Sequence, residues 1–186
     1  MSNSLASISS GSGAAGWPAL IDHVGILVPD LEAAIERWSA ATGYTFSPIA
    51  RYRTARYSDH SDQTPHFHDA RMSFSREGPP KIELLEATGS GTHGLEQAGI
   101  HHLGFRGFDD PAARLAELEL IGIGSDGLSR DEQGRLLLCF TDKQDLDGIR
   151  LELISPLRGP VVADDGRELP VDPMTGRSDL WAAPHA

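Results

Sequence analysis

Two histidines and two glutamates in this sequence have the types and the spacing of a metal-binding set. The histidines lie in matching segments, IDHVG at residues 21–25 and IHHLG at residues 100–104, and His23 and His102 are 79 residues apart. The glutamates, Glu83 and Glu152, each stand between aliphatic residues in KIELLEAT and IRLELISP. Because an unpaired buried carboxylate is costly, four such residues at equivalent places predict a shared cation.

The chemistry of such a set is that of a divalent transition metal. Two imidazole nitrogens and two carboxylates suit Zn, Ni, Co, Fe or Mn and leave positions for water and substrate. An ion of this kind polarises a carbonyl group and so assists removal of the proton on the neighbouring carbon. The set therefore predicts one divalent metal ion as cofactor. The predicted activity is proton transfer on a small-molecule carbonyl or thioester substrate, by an isomerase, an epimerase or a lyase.

The adjacent pair His101–His102 raises the question of which histidine faces the metal. Neighbouring side chains on a strand point to opposite faces, so alternation places His23 and Gly25 on one face and Asp22 and Val24 on the other. The equivalent positions in the second segment make His102 the functional candidate. His101 is expected on the helix-facing side, as a structural residue or as a support for its neighbour.

The elements around these residues repeat. A strand at 19–28 is followed by a helix that starts after Asp30, a favourable N-cap, and stops at Gly43. A strand at 99–107 is followed by a helix that starts after Asp110, with proline at its first position. Each unit ends in a glutamate-bearing strand and has two further strands before it, predicted at 45–57, 66–76 and 81–88 in the first unit and at 121–129, 134–142 and 149–156 in the second. The pattern is βαβββ twice, an internal repeat that favours a site near the axis between the units.

Composition bounds the organisation and the partners of the chain. The 186 residues carry a net charge of −11, which argues against nucleic acid and against a polybasic membrane contact. A single cysteine excludes a disulfide framework, and the absence of a signal peptide and of a long apolar run predicts a cytoplasmic protein without membrane association. We predict a disordered leader at 1–16 and one domain at 17–156, made of two modules at 19–88 and 99–156. An extended tail follows at 157–186, in which Leu180 and Trp181 are candidate anchors.

Further candidates lie between the two ligand strands of the first module. Arginines interleaved with tyrosines in ARYRTARY, Arg53 among them, favour an anionic or aromatic substrate. His66 and His68 share a face and are candidates for substrate contact or for the base, a role for which Asp69 is a further candidate. Arg71 is the remaining candidate for substrate binding.

The sequence resembles the vicinal oxygen chelate superfamily, which includes glyoxalase I, methylmalonyl-CoA epimerase, extradiol dioxygenases and bleomycin resistance proteins. The resemblance covers residues 19–156 and is carried by IDHVGILVPDLEAAIERW, KIELLEA, GIHHLGF and IRLELISP in order. It is strongest towards the epimerase and its glyoxalase-like relatives. One departure is Met72, which aligns where the epimerase carries a second catalytic carboxylate.

The resemblance implies an α+β fold in which the two βαβββ modules form an open, curled eight-stranded mixed sheet around the metal. It implies metal ligation by His23, Glu83, His102 and Glu152, with Glu152 or Glu83 leaving the metal to act as the catalytic base, and it implies a homodimer. Two other functions stay open. One is an extradiol dioxygenase, which would use Fe(II) and typically one carboxylate fewer, and the other is a metal-free binding or resistance protein.

Overall fold

A computed structural model describes residues 20–106, 108–157 and 159–171. Two α-helices pack against one sheet, and short 3-10 turns connect some of the strands. The helices are α1 (Leu31–Thr42) and α2 (Pro111–Leu120), and the strands are β1 (Ile21–Val28), β2 (Ala50–Asp59), β3 (His66–Phe74), β4 (Lys81–Glu86), β5 (Gly99–Phe105), β6 (Ser125–Arg130), β7 (Leu136–Thr141), β8 (Arg150–Ile154) and β9 (Val161–Ala163).

Both helices begin where the sequence predicts. Asp30 caps α1 by accepting a hydrogen bond from the Ala33 amide, and Gly43 ends the helix in a left-handed conformation with φ 76°. Asp110 caps α2 by accepting from the amides of Ala112 and Ala113. These caps set the point at which the chain leaves β1 and β5, the two strands that carry the histidines.

The strands form one mixed sheet in the order β3-β4-β1-β5-β8-β7-β6-β2-β9. Within each module the first and last strands are parallel neighbours, β1 with β4 and β5 with β8, and the antiparallel pair β1–β5 joins the modules. The predicted α+β fold, with two βαβββ modules in a curled mixed sheet, is confirmed. The structure adds that β2 pairs with both β3 and β6, so that the curled sheet closes on itself.

The segment after β8 contributes a ninth strand. Residues 161–163 form β9 on the edge of β2, and Leu169 is buried in the hydrophobic cluster that includes Leu27 and Met72. The predicted leader at 1–16 and the predicted anchors Leu180 and Trp181 lie outside the described residues.

The helices cover the outer face of the sheet. Leu31 and Ala34 of α1 pack on Val28 and Leu84. Leu115 and Leu118 of α2 make the equivalent cluster in the second module, with Cys139, Leu136 and Leu153. In the ranges that the structure describes, no helix has the length and hydrophobicity that a membrane crossing requires. The outer core leaves the concave face of the sheet free for the site.

Candidate metal centre

The four predicted ligands come together on the concave face of the four central strands. His23, Glu83, His102 and Glu152 are all buried, and one ligand atom from each lies within 4.8 Å of the others. The register explains this convergence. Gly25 of β1 has Glu83 and His102 as its two cross-strand partners, and Gly104 of β5 has Glu152 and His23.

The separations fit a single bound ion. The two imidazole Nε2 atoms are 3.0 Å apart, and Glu152 Oε2 is 3.0 Å from that of His23 and 3.6 Å from that of His102. Glu83 Oε2 is 3.3 Å and 3.1 Å from the same two atoms. Two ligand atoms that each bind one ion at about 2.1 Å are themselves separated by about 3.0–3.4 Å.

Asp22 orients the first imidazole. Nδ1 of His23 donates a hydrogen bond of 2.9 Å to Asp22 Oδ2, because a carboxylate oxygen can only accept. This bond turns the other ring nitrogen, Nε2, towards the cluster. Burial raises the pKa of Asp22, but hydrogen bonds from His23 and Arg106 outweigh it and lower that pKa to about 2. Asp22 therefore stays an acceptor at neutral pH.

His101 and Thr92 orient the second imidazole in the same way. Nε2 of His101 donates to the backbone carbonyl of Thr92 at 2.7 Å, so the proton of this neutral imidazole is on Nε2 and its Nδ1 accepts. Nδ1 of His102 donates to that atom at 2.9 Å, which leaves the Nε2 lone pair of His102 free. Burial, with the neighbouring His102, lowers the pKa of His101 to about 3 and keeps it neutral. Such supports fix the tautomer and the orientation of metal-binding histidines.

Both supporting side chains reach their histidines through β-bulges. In the β1–β5 ladder Asp22 is the extra residue between Ile21 and His23, and His101 is the extra residue between Ile100 and His102. The predicted placement of Asp22 and His101 on the helix-facing side is therefore wrong, because strict alternation fails where a residue is inserted. His101 instead packs against Phe140 and the other interior rings.

The glycine of each His-x-Gly segment makes room for the histidine of the other module. A Cβ on Gly25 would overlap the imidazole of His102, and a Cβ on Gly104 would overlap that of His23. Neither glycine has a positive φ, so close approach is the reason for glycine at both positions.

Glu83 brings a negative charge into the cluster. Burial raises the pKa of Glu83, but its hydrogen bonds to His102 and His23 outweigh burial and hold that pKa below its usual value. Burial lowers the pKa of His23, but hydrogen bonds to Asp22, Glu152 and Glu83 hold it well above its usual value. The site thus favours positive charge between the four side chains.

A cavity of about 150 Å³ opens at the cluster. His23, Glu83 and Glu152 lie on its wall, together with Tyr52, Arg106 and Ser155. The rest of its lining is mainly apolar, with Met72, Phe74, Leu137, Leu138, Ile154 and Val161. Tail residues Leu157 and Gly159 also line it, so the segment after β8 forms part of the wall. A cavity with this lining has space for an apolar group beside the carboxylates.

A family model described as the glyoxalase/bleomycin resistance protein/dioxygenase superfamily matches residues 22–125, more than half of the chain. The chain belongs to this superfamily. No curated protein sequence matches the chain. Within the superfamily fold, the cluster lies where the two modules meet.

Solved structures with a similar fold include methylmalonyl-CoA epimerase from Mycobacterium tuberculosis, with 23% identity, a TM-score of 0.50, and coverage of 75% of this chain and 88% of that one. A hypothetical protein from Bacillus halodurans C-125 has 18% identity, a TM-score of 0.51, and coverage of 74% and 94%. A variant of methylmalonyl-CoA epimerase from Streptomyces coelicolor, bound to 2-nitronate-propionyl-CoA, has 22% identity, a TM-score of 0.48, and coverage of 74% and 96%. The first two of these likenesses support a shared fold only.

The two histidines predicted to contact substrate, His66 and His68, differ in their surroundings. His68 lines a second, inner cavity of about 40 Å³, which also touches Glu83 and Glu152, and its ring stacks on Tyr57 at a centroid distance of 4.2 Å. His66 is half-buried, and its Nδ1 donates to the Thr64 carbonyl at 3.0 Å. Of the two, only His68 lines a cavity that reaches the carboxylates.

The two predicted arginines lie outside the metal-site cavity. Arg53 is bound by Asp69 at 2.9 Å and lines an open outer groove. Arg71 forms ion pairs with Glu86, Asp164 and Glu32. Asp69 faces the arginines of β2, so the structure does not bring this candidate base to the cluster either.

Sequence reasoning missed several residues that surround the site. Asp22, Thr92 and Arg106 were given no role, and His93 proves to be a buried ring between His68 and His101. The repeat marks the position of Asp22, which directly precedes His23 as His101 precedes His102, but it does not show the hydrogen bond to the imidazole.

The support of His102 by His101 leads to a testable expectation. His101→Phe keeps a buried ring but removes the acceptor for His102 Nδ1–H, so divalent-metal affinity should fall by about 10–100-fold. A competition titration against a chromophoric chelator measures this, with a thermal melt to show that the variant folds. His60→Phe is the matched control, since His60 is half-exposed and paired with Asp126. Unchanged affinity in His101→Phe would contradict the orienting role.

Proposed function

We propose that this protein is a divalent-metal-dependent enzyme that moves a proton at the carbon next to a carbonyl or thioester group. Its reaction is of the isomerase, epimerase or lyase type, and its substrate is a small molecule. The ligands are His23, Glu83, His102 and Glu152, and the ion is Zn, Ni, Co, Fe or Mn.

One observation carries the proposal. The Nε2 atoms of His23 and His102 are 3.0 Å apart beside Glu83 and Glu152, and both turn towards the cluster because the Nδ1 atom of each ring is held as a donor on its other side. Two imidazole nitrogens and two carboxylates at these distances favour positive charge among them, and a divalent cation is the charge that all four can bind at once. A purely structural role would not require two buried imidazoles that are both oriented towards two carboxylates.

When bound, the ion would act as a Lewis acid on the carbonyl oxygen of the substrate. The chain supplies the remaining functions. The apolar wall formed by Met72, Phe74 and Leu138 binds the carbon skeleton and excludes water from it. Glu152 or Glu83 accepts the proton, because both carboxylates line the cavity beside the apolar wall.

The dioxygenase alternative rests on the same site with a different ligand count. Extradiol chemistry with Fe(II) typically uses two histidines and one carboxylate. Glu83 lies within 3.3 Å of both imidazoles, so this chain offers a fourth candidate ligand. This favours proton transfer over oxygen activation.

The test has two stages. Metal analysis of the natively purified protein should find about one divalent ion per chain, and chelator-treated protein should regain it. The metal-loaded protein should then catalyse exchange of solvent deuterium into members of a panel of thioesters and hemithioacetals. Mass spectrometry measures the deuterium incorporated. Protein without bound metal and without affinity for it would favour a metal-free binding protein, and oxygen uptake with a catechol under Fe(II) would favour the dioxygenase.

The same proposal includes a homodimer, as the superfamily resemblance implies. Sedimentation velocity of the full chain measures this directly, and a monomer at all concentrations would remove this part of the proposal.

A further inference from the structure

Arg106 lies at the wall of the larger cavity, directly after β5. Among the described residues that line this cavity it is the only lysine or arginine. Its side chain is 36% exposed, so it faces both the cavity and solvent. The cavity thus combines the acidic metal cluster, an apolar wall and one permanent positive charge.

Only one edge of this guanidinium is used by the protein. Nε of Arg106 donates to Asp22 Oδ2 at 2.7 Å, and within the described ranges its guanidinium makes no other hydrogen bond. Arginine has five N–H donors in a planar fork. The terminal nitrogens are therefore available to a ligand, while the bond to Asp22 fixes the plane in which they lie.

The surroundings leave few partners for a negative charge in the cavity. The apolar side chains cannot stabilise an anion, and Glu83 and Glu152 offset the charge of the proposed ion, so that Arg106 is the permanent positive charge among the described lining residues. The guanidinium of Arg106 matches a carboxylate, which it can bind through two parallel hydrogen bonds. The bond to Asp22 uses Nε alone, and it leaves the two terminal nitrogens of this cavity-lining residue without a partner in the described ranges.

We propose that Arg106 binds a carboxylate of the substrate, so that the substrate is an oxoacid or a related molecule that carries both a carbonyl group and a carboxylate. This names the substrate class of the proposed function and rests on it. Arg106, Asp22 and His23 then form a continuous chain of hydrogen bonds from the substrate carboxylate to one metal ligand.

The test compares acids with their neutral esters. The probes are pyruvate, acetoacetate and levulinate, which differ in the spacing of the two groups, each against its methyl ester, with acetylphosphonate as a second oxyanion. Binding to the full chain is measured by calorimetry, with Mn²⁺ bound and after chelator treatment. At least one acid should bind about tenfold or more tightly than its ester, the strength expected of a charge-assisted pair.

Arg106→Gln should remove that preference, and its Mn²⁺ affinity and melting temperature are measured alongside to show that the variant folds with its cluster assembled. Arg106→Lys should retain part of the preference, and Arg37→Gln, on the exposed face of α1, should retain all of it. An acid preference that survives Arg106→Gln, or no preference at any spacing, overturns the inference, and tight binding of the phosphonate alone overturns the assignment to a carboxylate.

The two proposals fail separately. If no metal binds, the proposed function fails, whereas an acid preference of the metal-free protein that is lost in Arg106→Gln still supports the inference. If metal binds and the esters bind as well as the acids, the inference alone fails.

Discussion

Replacement of Gly104 by alanine is expected to abolish divalent-metal binding as completely as replacement of His23 itself. A Cβ at this position would overlap the imidazole of His23, which lies directly across the β1–β5 ladder. The ring has to leave the cluster or the two strands have to separate, and either movement displaces a ligand. We expect metal affinity to fall at least about 100-fold and the melting temperature to fall by several degrees, as overpacking of a core typically costs about 1–3 kcal/mol.

The control variants separate a steric effect from general damage. Gly124→Ala adds a methyl group where the nearest atom is 3.6 Å away, and it should leave both metal affinity and stability unchanged. The double variant His23→Ala/Gly104→Ala removes the overlapping ring, so it should recover the lost stability without recovering metal binding. A Gly104→Ala protein with wild-type metal affinity would show that the two side chains do not need this space.

Glu152→Gln and Glu83→Gln are expected to be nearly inactive. Each substitution removes one of the two negative charges that balance the cation and also removes a candidate base, so deuterium exchange should fall by about 10²–10⁴-fold. Metal affinity should fall at least about 100-fold in both variants, because each carboxylate is buried beside both imidazoles. Deuterium exchange is then measured with both variants saturated with metal. The glutamate whose replacement still prevents exchange under these conditions is the base.

Glu86→Gln provides the matched control on the same strand. Glu86 is the last residue of β4 and is paired with Arg71 on the outer face, at 2.9 Å. Its loss should leave exchange and metal affinity at wild-type levels, with at most a small change in stability. Full exchange activity in both cluster variants would exclude carboxylate catalysis at this site.

The arrangement of the fold was accessible from the sequence because the chain repeats itself. His23 and His102 occupy the same position in two matching segments, and β4 and β8 carry matching glutamates. These matches indicate strands with the same role in two modules. The helix caps at Asp30 and Asp110 are local signals that hold in most contexts. Together these features predicted the order of the elements and the convergence of the four side chains.

The bulges were not accessible from alternation. Asp22 and His101 each occupy an inserted position, and residue types alone do not show where a ladder gains a residue. Each insertion also brings a side chain that alternation assigns to the helix side within 2.9 Å of a ligand nitrogen. The hydrogen bonds of Asp22 and His101 to the two imidazoles were therefore visible only in the structure, whereas the repeat predicted that the four candidate ligands meet.

Long-range pairing accounts for the remaining differences. Arg71 was a candidate for substrate binding by its residue type, but its charge is bound by Glu32, Glu86 and Asp164, of which the last belongs to the segment after β8. Thr92 contributes a backbone carbonyl, which no side-chain pattern reports. Partners of this kind become visible only when distant segments are placed side by side.

The two bulges also make the halves of the centre unequal. The inserted residue is an anion before one ligand histidine and a neutral ring before the other. An anionic acceptor draws the Nδ1 proton more strongly, which makes His23 the more basic and more electron-rich donor of the pair. The backbone repeat is nearly twofold, but the two histidines differ in basicity. Two oxygen atoms of one substrate would therefore bind opposite chemically different imidazoles.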